Sequence, residues 1–401
     1  MTKRMLFAGL SALALTAATS AAAQTEVTIG VLNDQSGLYS DLTGQGSVWA
    51  ARKAIEDFDP AAHGLSVELV FADHQNKPDV GSSVARQWYD VDGVDMIVDV
   101  PTSSVALAIN ELTRERNKVF LSSGAATSDL TGKACSPNTV HWTYDTWSLA
   151  NGTGKAIVET GGESWFFITA DYAFGHALER DTSAVVVENG GEVVGTVRHP
   201  FPGSDFSSFL LQAQASGAQI IGLANAGGDT VNTVKQAAEF GIVQSGQSLA
   251  ALLMFLTDVH ALGLPVAQGL IFTEAWYWDL NDANRAFAEE FAAANSGQHP
   301  TMVHAGVYSA VTHYLKAVAE VGSVEDGAAV VAAMKEMPTS DRLFGEGEIR
   351  QDGRKIHDMY LFEVKAPEDS QGPWDYYTLR ATIPAAEAFR PLAEGECPLV
   401  N

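Results

Sequence analysis

Val27-Thr28-Ile29-Gly30-Val31-Leu32-Asn33-Asp34-Gln35-Ser36-Gly37-Leu38-Tyr39 is a short β-branched run that opens into a polar, glycine-containing loop. The uncharged run at 27–32 reads as a buried strand, and the loop extends through Ser40-Asp41-Leu42-Thr43-Gly44 before a helical pattern begins. The same unit recurs about every 25–30 residues, the rhythm of βα units on a parallel sheet. Strands are predicted at 66–72, 96–100 and 118–121, and in a second series at 164–169, 192–197, 219–223, 249–253 and 270–273.

The intervening segments carry helical stripes. Val105, Ala108, Ile109 and Leu112 repeat at i, i+3, i+4, i+7, as do Phe206, Phe209, Leu210 and Ala213, so each helix has one face to bury. The first strand series ends near 141–147, and a new helix is predicted from about Thr146. Helical segments at 283–294 and 305–321 and a late strand at 359–364 have too few strands of their own and must pack on existing sheets. The predicted fold is therefore α/β, with two parallel-sheet lobes in tandem. The chain is expected to return to the first lobe after about residue 275 and to the second after about 345. The lobes would then be 24–143 plus 275–345, and 144–274 plus 346–401.

Met1-Thr2-Lys3-Arg4 precedes an apolar run at 5–18 and the small-residue stretch Ala21-Ala22-Ala23, the pattern of a cleaved secretory signal over 1–23. The apolar run is too short to span a bilayer. The chain has 24 basic and 49 acidic residues, a net charge of −25, which disfavours nucleic acid and anionic lipid as partners. Its only two cysteines are Cys135 and Cys397. In an oxidising compartment they read as one disulfide, with two free thiols as the alternative.

Ligands of open parallel sheets sit beyond the carboxyl ends of the strands, so the loops after the strands carry the functional weight. The first, which includes Tyr39, lacks G-x-G-x-x-G, because Trp49 stands where the third glycine should be. After the third strand comes Pro101-Thr102-Ser103-Ser104, and after the fourth Ser122-Ser123-Gly124-Ala125-Ala126-Thr127-Ser128. Hydroxyls and free N–H groups at a helix start suit a carboxylate, although either loop alone also reads as N-capping. The second series supplies Asp171-Tyr172-Ala173-Phe174-Gly175 and Asn225-Ala226-Gly227-Gly228-Asp229, with aromatic walls for a small organic ligand; Asn225 and Asp229 also fit as caps. Trp276 lies at the predicted return crossing, where packing and ligand contact are equally compatible with the sequence.

Enzyme and metal signatures are poor. Gly152-Thr153-Gly154-Lys155 is only part of a P-loop, since Leu149 and Ala156 replace the required glycine and hydroxyl. G-x-S-x-G, HExxH and paired CxxC spacings are missing. No catalytic residue, metal or cofactor is expected.

Taken together, Ile29-Gly30-Val31 with Ser36-Gly37, the Ser103-Ser104 loop, Ser123 to Thr127 with Leu130-Thr131, and Asp171-Tyr172-Ala173-Phe174-Gly175 follow a familiar order. Ser204-Asp205-Phe206, the Asn225 loop and Gly347-Glu348-Ile349-Arg350-Gln351-Asp352-Gly353 continue it. In that order and spacing the chain resembles the type I periplasmic substrate-binding proteins of ABC importers, of the branched-chain amino-acid (leucine/isoleucine/valine-binding) family. The resemblance implies two Rossmann-like lobes joined by a three-crossing hinge, a periplasmic location, and delivery of one small-molecule ligand to membrane permease subunits by a monomer. It implies ligand contacts from Thr102, Ser103, Ser104, Ala125 and Thr127, with Tyr172 or Phe174 closing from the second lobe. The amino-acid binders place an acidic residue against the ligand ammonium after the strand at 249–253. Here Met254-Phe255-Leu256-Thr257-Asp258 puts the aromatic Phe255 near that position. Unless Asp229 or Asp258 substitutes, the expected ligand is a carboxylate with an apolar or aromatic body. A branched-chain amino acid or amide is the alternative, and a periplasmic sensor or hydrolase the reading from another class.

Overall fold

The run around Ile29 forms β1 (Thr25–Asn33), flanked by β2 (Leu65–Asp73) and β3 (Met96–Asp99) in parallel pairs. The structure, a computed structural model, describes residues 24–400, and the leader expected at 1–23 lies outside the described residues. With β4 (Val119–Ser122) and β5 (Thr139–His141) the first sheet has the order β2-β1-β3-β4-β5. A second parallel sheet, β7-β6-β8-β9, is built from β6 (Ser164–Ala170), β7 (Glu192–His199), β8 (Ile220–Ala224) and β9 (Ser248–Ala251). Strand order reverses beside β1 and β3 in one sheet and beside β6 and β8 in the other, which opens a crevice at those carboxyl ends. β3, β4 and β8 are buried along their whole length, as strands covered on both faces must be.

Every strand read from the sequence is present, including the late one, β14 (Met359–Val364). It pairs antiparallel with β10 (Ile271–Glu274) and with a strand the sequence reading missed, β15 (Tyr377–Ile383). Also missed are β5 and the antiparallel ribbon of β11 (Thr339–Asp341), β12 (Gly345–Ile349) and β13 (Lys355–Ile356). β5, β11 and β13 have two or three residues, too few to show a period; β12 has glycine at two of its five positions, and β15 is largely exposed.

The helix Met302–Val321 packs on Gly44–Phe58 and β3, so the chain after β10 does cover the first sheet. Its Gly306 fits where no side chain could, since a Cβ there would stand 2.1 Å from Thr143 Oγ1. Buried residues such as Leu315, Val311 and Val98 each stabilise this layer by about 1.5–3 kcal/mol. Cys135 and Cys397 are bonded, which removes the free-thiol alternative. With its cysteines 262 positions apart in sequence, the bridge contributes about 3–5 kcal/mol through loop entropy.

Between the sheets runs a buried polar seam. Arg354 donates from Nη1 to Tyr144 O (3.0 Å) and Asp145 Oδ2 (3.4 Å), with its guanidinium 4.5 Å from the Phe389 ring centre. Burial lowers its pKa to about 10, where it still carries its charge at neutral pH. His357 Nε2 hydrogen-bonds Thr143 O at 2.8 Å, so the segments 143–145 and 354–357 are fastened side by side. The P-loop-like Gly152 packs on β10, where a Cβ would meet Thr273 Oγ1 at 2.2 Å.

Candidate functional site

The loop after β1 is folded by Asp34. Its carboxylate accepts from Gly37 N (2.7 Å), Tyr39 N (2.8 Å) and Asn76 Nδ2 (2.5 Å), which turns the chain back and fixes Tyr39. At the end of β3, Asp99 and Val100 have φ of 85° and 52°. A β-branched residue in the left-handed region is strained, and the turn delivers Pro101 to the crevice. Asp99 is fully buried, accepts from Asn33 Nδ2 (3.0 Å) and Ser123 Oγ (3.3 Å), and is pushed up to about 6 by desolvation.

The predicted hydroxyl loops lie side by side, but their groups are engaged with one another. Thr102 donates to Asn76 Oδ1, Ser103 Oγ accepts from Thr127 N (3.2 Å), and Thr127 Oγ1 accepts from Asp129 N (3.4 Å). Ser104 is half-buried in the helix Ser103–Arg116, and Ala125 O is bonded to His141 Nε2 at 2.7 Å.

From the second sheet, Tyr172 precedes the helix Ala173–Glu188 and its hydroxyl meets that of Tyr39 at 2.6 Å. Phe201 stacks on Tyr172 with ring centres 4.1 Å apart. Gly227, at φ 56°, lets the chain pass under Tyr39, whose Cδ1 would be 3.0 Å from a Cβ there. Asn225 ties its own loop, accepting from Thr230 Oγ1 (2.8 Å) and reaching Thr233 Oγ1 (3.2 Å). Asn225 is not a cap: its partners are side-chain hydroxyls, and the helix that follows is capped at Gly227 without a side-chain bond.

Between these loops lies a narrow cavity of about 10 Å³, room for about one water molecule. Tyr39, Leu42, Pro101, Gly124 and Ala126 line it from the first sheet's side; Tyr144, Tyr172, Phe174, Ala226, Leu253 and Phe255 line the other. Among the predicted residues, Tyr39, Tyr172, Phe174 and Phe255 are thus in the wall, and Ala125, Thr127, Asn225 and Gly227 flank wall residues. Trp276 lies outside it, packed edge-on against Phe287. Tyr144 and Leu253 were missed because they follow β5 and β9 with no motif around them. Tyr144 donates to Gly124 O (2.6 Å), and burial holds its phenol, with those of Tyr39 and Tyr172, well above the ordinary value. The wall is aromatic with neutral hydroxyls, which suits an apolar or aromatic body carrying a few polar groups.

Behind this wall lie three buried acids. Desolvation pushes Asp229 and Asp258 up to about 7, and raises Glu274 well above its usual value with a further contribution from Asp258. Asp229 accepts from Gly203 N (2.9 Å), Asp258 from Phe255 N (2.9 Å) and Glu274 from Tyr377 Oη (3.1 Å). Glu274 was not singled out by sequence, since a single acid ending a strand carries no pattern. Among the described residues, no group of three or more His, Cys, Asp or Glu is arranged to hold a metal ion. No helix among them is long and apolar enough to cross a membrane.

A carboxyl group whose folded pKa is raised stabilises fully below its unfolded value and loses that contribution as pH rises through the folded one. For Asp258 this window runs from about pH 4 to about pH 7. Asp258→Asn removes the loss. Its unfolding free energy relative to the parent is expected to rise by about 2–4 kcal/mol between pH 4 and pH 8. Denaturant titrations at the two pH values check this, and a pH-independent difference would contradict it.

Two parallel α/β lobes with a closed crevice between their strand ends define a two-lobed solute-binding protein. The chain belongs to the periplasmic binding protein family, whose model matches residues 26–372. It is similar to a solved periplasmic binding protein from Burkholderia mallei, with 51% identity and a TM-score of 0.91 over 94% of this chain and 99% of that one. It also resembles a branched chain amino acid ABC transporter periplasmic ligand-binding protein from Burkholderia xenovorans LB400, with 42% identity, a TM-score of 0.83, and 94% and 100% coverage. Leu/Ile/Val-binding protein homolog 6 of Brucella melitensis is 28% identical over 375 residues, 90% of this chain and 93% of that protein. The fold is that of type I periplasmic binding proteins.

Proposed function

We propose that the protein captures a small carboxylate with an apolar or aromatic body between its lobes and hands it to membrane permease subunits, acting as a monomer without catalysis. The observation that carries this is the aromatic wall lining the crevice on both sides, bridged by the Tyr39–Tyr172 hydroxyl pair, which must part to admit a ligand. Under this reading Thr102, Ser103 and Thr127 exchange their present internal bonds for a ligand carboxylate, and Tyr172 and Phe174 close over its body. Export by the leader at 1–23, with cleavage near Ala23, accords with the family's compartment. We further propose lobes of 24–143 plus 275–357 and 144–274 plus 358–383. The paired His141 and Arg354 support setting the third crossing after 357.

Branched-chain amino acid or amide binding is the second reading, supported by the names of two relatives and by Asp258 and Glu274 behind Tyr144. An ammonium set among them would gain a compensating charge.

A thermal-shift screen of refolded, ligand-stripped protein separates these readings. Benzoate and aliphatic acids are expected to raise the melting temperature, since a compound at 100 times its Kd adds about 2.7 kcal/mol. Strong shifts with leucine or valine and none with simple acids would favour the amino-acid reading. Turnover of ester or amide probes would defeat both.

A further inference from the structure

Residues 384–400 lie outside the second lobe's sheets. After β15, which is hydrogen-bonded to β14, the tail leaves the β10-β14-β15 sheet and runs back over the hinge. Ala385 N donates to Asp358 Oδ1 (2.8 Å), and Asn151 Nδ2 donates to Glu387 O (2.9 Å). Phe389 lies against Arg354 and His357, the residues that fasten the crossings. Arg390 O accepts from Arg350 Nη1 (2.8 Å), and Arg390 Nη2 donates to Ser128 O (3.2 Å). The tail then bonds covalently through Cys397 to Cys135, four residues beyond Thr131 on the first lobe, with both cysteines buried.

The loop held in this way is the one at the cavity. Gly124 and Ala126 line the cavity, and Ser128 on the same loop is clasped from the second lobe. Ser128 Oγ donates to Asp181 Oδ2 (2.7 Å) and accepts from Arg180 Nη2 (2.8 Å), while Arg180 Nη1 reaches Asp129 Oδ1 (3.1 Å). Thr146 Oγ1 donates to the same Asp181 oxygen at 2.5 Å. Arg390 therefore grips the backbone of the residue whose side chain bridges the lobes.

We propose that residues 384–400 are a fourth connection between the lobes, covalently closed by Cys135–Cys397, which limits how far they open and positions the 124–131 loop for ligand. Three crossings alone leave opening limited by contacts within the crossings. A strap anchored on the second lobe at β15 and bonded to the first at Cys135 adds a fixed length that opening must respect. This deepens the binding reading and rests on it, but its test uses no ligand, so the two fail separately.

Ligand-stripped protein is compared by solution scattering in three forms: oxidised, reduced with dithiothreitol, and carrying Cys135→Ser with Cys397→Ser. The oxidised form is expected to have the smallest radius of gyration, and the other two a larger one. Amide exchange on the same samples is expected to quicken at least tenfold in 124–134 and 384–400 while β1 and β6 stay protected. Equal radii in all three forms would overturn the proposal. Exchange rising equally in β1 and β6 would overturn it too, because the bridge would then be a general staple of the fold.

Discussion

Arg354→Ala is expected to destabilise the folded protein by about 3–5 kcal/mol, the range for breaking a buried ion pair by removing one partner. Arg354 is fully buried and bonds Tyr144 O, Asp145 Oδ2 and, from Nε, Lys355 O (3.0 Å). Alanine would leave Asp145 short of a cation, orphan the Tyr144 carbonyl and open a void against Phe389. The cation also matters in the other direction. Lys355, equally buried beside it with its Nζ 4.3 Å from the Phe344 ring centre, is lowered to about 7 by desolvation, with the Arg354 charge adding to the shift. Arg354→Met, which fills the volume without the charge, is expected to recover part of the loss. Denaturant titration gives both values. A loss below about 1 kcal/mol for alanine, the worth of a surface pair, would mean that the seam does not hold the crossings together.

Tyr172→Ala is expected to cost about 3 kcal/mol of ligand affinity, a factor of about 100 or more, with a smaller effect on stability. The substitution removes a wall of the cavity, the ring on which Phe201 stacks, and the hydroxyl that meets Tyr39 across the crevice. Tyr172→Phe keeps the wall and loses one hydrogen bond, so a loss of about 0.5–1.5 kcal/mol is expected. Calorimetric titration with the strongest stabiliser from the acid screen measures both. Equal affinities for parent and alanine variant would take Tyr172 out of the site.

The parallel sheets were legible because strands covered on both faces must be continuous apolar runs, as Met96 to Val98 and Ile220 to Leu223 are. β5 and the β11–β13 ribbon were not, because their pairing is decided by distant segments; His141, for example, donates its N–H to Gly353 O. At the cavity, the strand-end rule found Tyr39, Tyr172 and Phe174, whose loops follow β1 and β6 directly. It did not single out Phe201, which follows the edge strand β7 and reaches the crevice by packing on both Tyr172 and Tyr39. Nor could it find Glu274, whose importance comes from complete burial rather than from its neighbours in sequence. The hydroxyl loops were located correctly, but which partners Ser103 and Thr127 choose is settled by packing.

The central claim is that the lobes close around one small ligand. Solution scattering of stripped, oxidised protein titrated with the strongest stabiliser from the screen tests it most directly. The account predicts a saturable fall in the radius of gyration to that of the closed structure, complete at one equivalent of ligand. A radius that stays constant while the compound binds would contradict it.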